Sequence, residues 1–358
     1  MATTARAAIV DVGGKPPEIQ EVQLADLLFD EVLVRVVATS VCHTDVAWAD
    51  GELFPAFPVI TGHEVAGVIE AVGSGVSRVK PGDRVGIALA HHCGHCRYCE
   101  SGRPMLCQQR EDDPGRFTRD GEPIVQGFGT AGFSELTIVR EASAIKLPDD
   151  VPLDVAAVVG CATSTGLGAV FNIAEVQFGS TVAIQGAGGI GLNILMGAVL
   201  AGAERIVVAD PNPVRRQTAL EFGATDVVDG SEEAFREIAP NGFEYVFECV
   251  GRPETLAQAV AITQRGGTAT LIGAPPPDAM LNIPALDFVA SQRRILGCLT
   301  GNVRPNIDFD RYFRLFARGK LPLDRLITAV IPFEDIAVGF EMNRSAQGIR
   351  TVVRVTQE

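Results

Sequence analysis

The sequence lacks two features that would place it at a membrane or on a nucleic acid. A transmembrane helix needs about 20 consecutive apolar residues, and the 358-residue chain contains no such run. It also lacks an excess of basic residues, since 30 Lys and Arg face 44 Asp and Glu, for a formal net charge of −14. Nucleic acids and anionic membranes bind basic surfaces. We therefore expect neither as a partner, and we interpret the acidity as an aid to solubility.

The first residues also lack the apolar stretch of a secretion signal, because the short run 7–10 leads directly into Gly13 and Gly14. We therefore expect a cytoplasmic protein without disulfides. No internal repeat or low-complexity tract is visible. The length and the hydrophobic content of 47% predict two or three domains with ample core.

The most informative segment that is present is rich in cysteine. It contains four of the chain's eight cysteines in the pattern C-x2-C-x2-C-x7-C, namely Cys93, Cys96, Cys99 and Cys107. Four thiolates at such spacing are typical of a closed tetrahedral zinc site, which holds a loop in shape and performs no chemistry. The alternative is free or disulfide-bonded thiols, which the absence of a secretion signal disfavours.

The two halves of the chain differ in their predicted pattern of strands and helices. Residues 1–150 consist of short alternating strands interrupted by Gly and Pro, such as 31–37 and 65–72, which predicts a largely β domain. From about Cys161 strands and helices alternate, with strands at 181–185, 205–209, 226–229, 245–249 and 268–272. This alternation predicts a doubly wound parallel sheet, and hence an α/β protein overall. The tail from 309 to 355 is predicted as a helix followed by a strand that returns to the first domain.

A dinucleotide-binding fingerprint follows the strand 181–185. The motif G-x-G-x-x-G stands between this strand and a predicted helix, as Gly186, Gly188, Gly189, Ile190 and Gly191. The glycines permit a tight turn and close backbone approach to a pyrophosphate, which the helix N-terminus attracts. Asp210 ends the next strand, where a carboxylate binds ribose hydroxyls and favours NAD over NADP. The alternative for Asp210 is a helix cap ahead of Pro211.

Three further residues form a candidate second metal site. They are Cys42, His63 and Cys161. Taken singly, each is more easily explained as a core residue. Together with the fourfold cysteine segment and the dinucleotide fingerprint, they form a Cys2His set that leaves the fourth zinc position open. A zinc ion with an open coordination position polarises the oxygen of an alcohol or a carbonyl compound.

Together these motifs resemble the zinc-dependent alcohol dehydrogenases of the medium-chain dehydrogenase/reductase superfamily. The resemblance extends over essentially the whole chain, and residues 116–125 are similar to its class I/class III branch. It implies a GroES-like catalytic domain at 1–162 and 300–358, and a Rossmann NAD-binding domain at 163–299. It also implies a homodimer, with a tetramer possible, formed near residues 281–299.

The resemblance further implies residue roles. Cys42, His63 and Cys161 would bind a catalytic zinc ion, with Glu64 behind it, while the four clustered cysteines would bind a structural one. Asp45 would orient His63, and Thr44 would relay the alcohol proton. His43 and Arg350 would contact the pyrophosphate, and Arg215 would lie near the adenosine ribose. One departure is Ala47, which stands where many members have the histidine that takes the relayed proton to solvent.

The same comparison suggests an apolar substrate pocket. Its candidate residues are Trp48, Leu53, Leu89, Ala274 and Leu299. They favour an apolar or aromatic alcohol, and Leu53 disfavours the glutathione adduct that class III enzymes bind beside an acidic residue. The alternative for Trp48 is that it only fills core.

We therefore expect an NAD-dependent zinc alcohol dehydrogenase that acts on a small molecule. One alternative is a nicotinoprotein that keeps its NAD permanently bound. A more distant alternative is a non-catalytic protein that binds zinc and a nucleotide.

Overall fold

The structure is a computed structural model that describes residues 3–89, 92–108 and 115–358. The chain forms two compact units. Unit 1 contains Met1–Cys161 and Arg304–Glu358, and unit 2 contains Ala162–Val303. Among the described residues, no helix is long and apolar enough to cross a membrane.

Unit 1 is built on two β-sheets. Its first ten strands are β1 Thr3–Ile9, β2 Glu18–Leu24, β3 Glu31–Val41, β4 Val59–Ile60, β5 Glu64–Val72, β6 Arg84–Ile87, β7 Phe117–Arg119, β8 Glu122–Gln126, β9 Leu136–Arg140 and β10 Ala144–Lys146. Its first three helices are α1 His43–Ala49, α2 Arg97–Glu100 and α3 Leu153–Ala157. One sheet has the order β1-β2-β7-β8-β4.

Unit 2 is a doubly wound sheet. Its helices are α4 Ser164–Gly168, α5 Gly189–Ala201, α6 Pro213–Glu221, α7 Glu232–Ile238, α8 Pro253–Ala261 and α9 Ala285–Ser291. Its strands are β11 Thr181–Gln185, β12 Arg205–Ala209, β13 Asp226–Val228, β14 Phe243–Glu248, β15 Thr263–Leu271 and β16 Arg294–Gly297. All pair in parallel in the order β13-β12-β11-β14-β15-β16. This is the strand order of a Rossmann fold, and the predicted α/β fold class is confirmed.

The C-terminal tail contains more helices and strands than the one helix and one strand that were predicted. It contains α10 Pro305–Ala317, β17 Ile327–Pro332, α11 Ile336–Arg344 and β18 Arg350–Arg354. The last strand pairs antiparallel with β3, which brings the end of the chain into the second sheet of unit 1, ordered β10-β6-β5-β3-β18-β17 with β9 also on β3. Apolar residues on β3 and β5 pack with Phe333 and Phe340 into one core.

Candidate active site and metal centres

Three segments of unit 1 converge on a buried group of metal-binding side chains. Cys42 lies between β3 and α1, His63 just before β5, and Cys161 in a widened helical turn at Val159–Thr163. Their ligand atoms all lie within 4.8 Å of one another, and all three residues are buried. We call these three residues the buried group. Two thiols and an imidazole this close match a zinc site with one open position.

Close backbone packing brings two of these segments together. Gly62 has a φ of +98°, and a methyl group there would lie 2.6 Å from the backbone nitrogen of Phe133. A methyl group at Gly160 would lie 2.7 Å from the carbonyl oxygen of Ile87. Only glycine fits such approaches without displacement of the neighbouring backbone. These two glycines therefore let the residues that follow them, His63 and Cys161, reach the same point.

Asp45 is hydrogen-bonded to two of the segments that carry the metal-binding side chains. Its carboxylate is fully buried and lies 2.8 Å from His63 Nδ1, while it also accepts the backbone N–H of Gly62 at 2.8 Å and of Cys42 at 3.2 Å. This arrangement holds the proton on Nδ1 and directs Nε2 toward the two thiols. In the described part of the chain Nε2 is buried without a hydrogen bond. A metal ion would use that nitrogen.

The electrostatics of the buried group favour one thiolate, Cys42, beside a thiol at Cys161, whose pKa is raised by the hydrogen bond with Cys42 and by burial. A hydrogen bond from Cys161 is the main cause that lowers the pKa of Cys42 well below its usual range, with the nearby imidazole adding to it. Burial lowers the pKa of His63, but the charges of Asp45 and Cys42 outweigh burial and raise it well above the usual value. Since metal ligands must be deprotonated, a zinc ion would take the place of the protons that these groups share.

Behind the buried group lies a buried ion pair between Glu64 on β5 and Arg350 on β18. Glu64 Oε2 is 3.2 Å from Arg350 Nε, and both residues are buried. Burial is the main cause that raises the pKa of Glu64, and the guanidinium opposes that rise. Arg350 thus offsets negative charge beside two thiols. The predicted contact of Arg350 with a pyrophosphate stays a prediction.

Helix α1 carries the other residues predicted near the metal. Thr44 is half-buried, with Oγ1 3.7 Å from Cys42 Sγ, so its hydroxyl stands beside the buried group. His43 is exposed at the first position of the helix, and Ala47 is buried within it.

An aromatic cluster covers one side of His63. The ring centroid of Phe128 is 4.6 Å from that of the His63 imidazole and 4.8 Å from that of Trp48. The ring centroids of Phe54 and Trp48 are 4.7 Å apart. Trp48 is buried and donates to the carbonyl oxygen of Ala56 at 3.3 Å, so it fills core and also supports this wall. Phe54 and Phe128 were absent from the predicted pocket. Phe128 adopts a φ of 54° between two glycines; the Gly-Phe-Gly sequence could have indicated this turn, but not the contact with His63.

The other predicted pocket residues differ in their exposure. In unit 1, Leu53 and Leu89 are half-buried. In unit 2, Leu299 is exposed, and Ala274 is exposed with its backbone against Gly251. Their role as pocket residues stays a prediction.

The four clustered cysteines form a second, more open group. Their sulfurs lie within 4.8 Å of one another, and only Cys107 is buried. The sulfur atoms of the pairs Cys93–Cys99, Cys96–Cys99 and Cys96–Cys107 are 3.5 to 3.9 Å apart. Four sulfurs at about 2.3 Å from a tetrahedral zinc ion would be about 3.8 Å apart. The geometry therefore fits a closed structural zinc site.

In unit 2, the dinucleotide fingerprint has the shape its chemistry requires. Gly186 has a φ of +95°, and a methyl group at Gly191 would lie 1.8 Å from the carbonyl oxygen of Gly186. Helix α5 begins at Gly189, followed by Ile190, with Gly188 as the N-cap. The turn thus exposes a helix N-terminus at the carboxyl end of β11, where open α/β sheets bind phosphates.

Asp210 lies beside that turn. Its carboxylate accepts the backbone N–H of Ala187 at 3.0 Å and of Asn212 at 2.9 Å, and Arg215 Nη1 lies 3.8 Å from Oδ2. Helix α6 is capped by Asn212, which accepts the N–H of Val214. Asp210 is therefore not the helix cap considered as its alternative role.

Comparisons with known proteins agree with this geometry. Residues 29–149 match the family model of the alcohol dehydrogenase GroES-like domain, and residues 189–318 match that of the zinc-binding dehydrogenases. Alcohol dehydrogenase 3 of Hordeum vulgare is 34% identical, over 98% of this chain and 97% of the relative. Two solved structures are also similar. An alcohol dehydrogenase zinc-binding domain protein from Burkholderia ambifaria has a TM-score of 0.95 at 32% identity, with both chains fully covered. The benzyl alcohol dehydrogenase of Acinetobacter calcoaceticus has a TM-score of 0.92 at 29% identity, covering 99% of this chain and all of the other.

Proposed function

The chain belongs to the zinc-dependent medium-chain alcohol dehydrogenases, and from this premise we propose that it interconverts an apolar or aromatic alcohol and its carbonyl product with NAD as hydride carrier. That the chain is an alcohol oxidoreductase follows from the family. The cofactor preference, the substrate class and the residue roles are the proposal. The buried group of Cys42, His63 and Cys161 is the observation that carries it.

Each of the two cysteine-containing groups would hold one zinc ion. Cys42, His63 and Cys161 would hold the catalytic zinc ion, and Cys93, Cys96, Cys99 and Cys107 the structural one. When bound in the buried group, zinc supplies a Lewis acid that polarises the substrate oxygen. A complete open site of this kind has no structural purpose, which argues against a protein that only binds zinc and nucleotide.

The neighbouring residues have supporting roles in this proposal. Asp45 keeps the proton on His63 Nδ1, so that Nε2 faces the metal position. The hydroxyl of Thr44, which stands beside Cys42, would accept the proton of the alcohol and pass on its own. Because Ala47 stands in place of a histidine, that proton would leave through the ribose of a bound cofactor and water, or through another base. Glu64 and Arg350 set the charge behind the metal.

The preference for NAD rests on Asp210. Its carboxylate is fixed by two backbone N–H groups, so it holds its place at the carboxyl end of β12. A carboxylate there accepts hydrogen bonds from ribose hydroxyls and repels a 2′-phosphate. Arg215, which faces Asp210, lies near the adenosine ribose in this arrangement.

The preference for aromatic alcohols rests on the cluster of Trp48, Phe54 and Phe128. Aromatic rings attract one another in tilted and edge-to-face arrangements worth about 0.5–1.5 kcal/mol beyond their burial. The benzyl alcohol dehydrogenase of Acinetobacter calcoaceticus, named for an aromatic alcohol, is among the similar structures.

Turnover by dialysed protein tests the proposal. We expect two zinc ions per chain by metal analysis, and formation of NADH from added NAD with benzyl alcohol in preference to ethanol. Turnover without added NAD, supported by an artificial electron acceptor, would instead establish a nicotinoprotein. Preference for NADP, or for short aliphatic alcohols, would overturn the corresponding part of the proposal.

We further propose that the protein is a cytoplasmic homodimer formed through unit 2. Met280, Leu286 and Val289 are large apolar residues with at least 72% of their surface exposed. They lie in or near α9, just before β16, which is the edge strand of the sheet. Exposed apolar residues beside an open strand edge are typical of association surfaces. Light scattering should give twice the chain mass, and L286E should reduce it to that of a monomer.

A further inference from the structure

One fully buried glutamate in unit 2 is hydrogen-bonded to two loops, to one through its carboxylate and to the other through its backbone carbonyl oxygen. Glu248 is the last residue of β14, and its Oε1 accepts hydrogen bonds from Val250 N at 2.9 Å, Gly251 N at 2.8 Å and Thr255 Oγ1 at 2.7 Å. Its backbone carbonyl oxygen accepts the N–H groups of Ile272 at 2.9 Å and Gly273 at 3.0 Å. Glu248 therefore holds both the loop after β14 and the loop after β15.

These two loops lie beside the glycine-rich turn. A methyl group at Gly186 would lie 3.2 Å from Val250 Cγ2, so Val250 packs directly on the first glycine of the fingerprint. The loops also touch each other, because a methyl group at Gly273 would lie 2.1 Å from the backbone nitrogen of Gly251. Both follow the carboxyl ends of parallel strands, which is where open α/β sheets bind their ligands.

We propose that Glu248 is a positioning residue for the dinucleotide, whose carboxylate acts through the loop after β14. Its Oε1 already accepts three hydrogen bonds from Val250, Gly251 and Thr255, so it acts by holding this loop rather than by contact with the dinucleotide. By holding Val250 and Gly251 against the glycine-rich turn, it prepares the crevice before the cofactor arrives. Such preorganisation lowers the ordering cost of binding. This inference rests on the proposed function.

The simpler explanation is that Glu248 only stabilises the fold, and the same strand offers a matched control. Glu244, near the start of β14, accepts the N–H of Thr181 at 2.7 Å and its hydroxyl at 3.3 Å. It thus also binds backbone and hydroxyl donors, but near the amino end of the strand. General stabilisation predicts similar effects of both carboxylates on cofactor binding, whereas positioning predicts an effect of Glu248 alone.

The test compares E248A, E248Q and E244A by three measurements: NADH dissociation constant from fluorescence titration, Tm, and amide hydrogen exchange of Val250 and Gly251 without nucleotide. We expect E248A to bind NADH about tenfold or more weakly and to exchange both amides faster. E248Q keeps a carbonyl oxygen for the three donors, and should stay within about threefold of the wild type. E244A should bind NADH normally whatever its Tm.

Three outcomes would overturn the inference. E248A could bind NADH as well as E244A does, or E248Q could be as weak as E248A, which would implicate the charge rather than the hydrogen bonds. If E248A does not fold, T255V offers a second variant. It removes the hydroxyl that donates to Glu248 Oε1, together with the hydrogen bonds of that hydroxyl to Arg252, and should weaken binding severalfold. Unchanged binding by T255V would be the third outcome. A wild-type protein that binds neither NADH nor NADPH would instead overturn the proposed function, and this inference with it.

Discussion

The two groups of metal-binding residues are built in opposite ways. The four clustered cysteines come from one continuous segment, lie mostly half-exposed, and are held partly by local backbone N–H groups, such as those of Cys93 and Cys96. The buried group comes from three separate segments and is fully enclosed. Around it lie the charged side chains of Asp45, Glu64 and Arg350.

This difference separates a structural site from a reactive one. A closed set of four thiolates satisfies zinc by itself and needs little from the surrounding fold. An open site must control the charge and orientation of every ligand, because its free position performs the chemistry. The four predictions that follow test this contrast, beginning with the largest expected effect.

The substitution C161S should remove the chemistry of the buried group alone. Serine is a poor zinc ligand at neutral pH, so we expect loss of one zinc ion per chain and a fall in kcat/KM of about 10³-fold or more. Metal analysis and kinetics measure both. C298S, outside both groups, is the control and should change neither. Full activity of C161S would contradict the assignment of the open site.

The substitution D45N should weaken the orientation of His63. Loss of an outer partner of a metal ligand typically costs about 10- to 100-fold in metal affinity or activity. We expect zinc to leave the buried group faster in the presence of a chelator. We also expect kcat/KM to fall by about 10- to 100-fold. E100Q, on the exposed helix beside Cys99, serves as the control. If D45N and E100Q released zinc equally, the contrast between the two groups would fail.

The substitution F128A should change selectivity rather than chemistry. Its ring covers His63, so removal should lower the ratio of kcat/KM for benzyl alcohol to that for ethanol by about tenfold. Zinc content should stay at the wild-type level. F29A, at an exposed ring elsewhere in unit 1, should leave the ratio unchanged. An unchanged ratio in F128A would remove this ring from the pocket.

The substitution C96S should have the smallest effect on catalysis. We expect loss of the zinc ion of the clustered cysteines and a fall in Tm of several degrees. The activity of the molecules that remain folded should stay within about threefold of the wild type, because the buried group keeps its own ligands. Calorimetry and metal analysis, paired with initial rates at low temperature, separate these effects. A loss of activity as large as that of C161S would show that the two groups are not independent.

Much of the fold could be predicted because its signals are local. The strands at 181–185 and 205–209 were predicted with the bounds that the structure has, since short β-branched runs end at turn residues, glycines after the first strand and Asp and Pro after the second. The tail was predicted less well, because β17 joins the sheet only through β18 and α11 packs on α1 and β3, which are distant in the chain. Phe128 was missed because its contacts with Trp48 and His63 also join distant segments.

The sequence by itself determined the clustered cysteine group and the dinucleotide fingerprint, because in each the spacing along the chain is also the spacing in space. It also indicated the three residues of the buried group, through their resemblance to a known family. Only the tertiary structure decided how these three are held. The contacts of Asp45 with Gly62 and His63, the pairing of Glu64 with Arg350 and the ring of Phe128 over His63 all join separate segments of the chain. Such contacts depend on the packing of whole strands, and no local pattern encodes them.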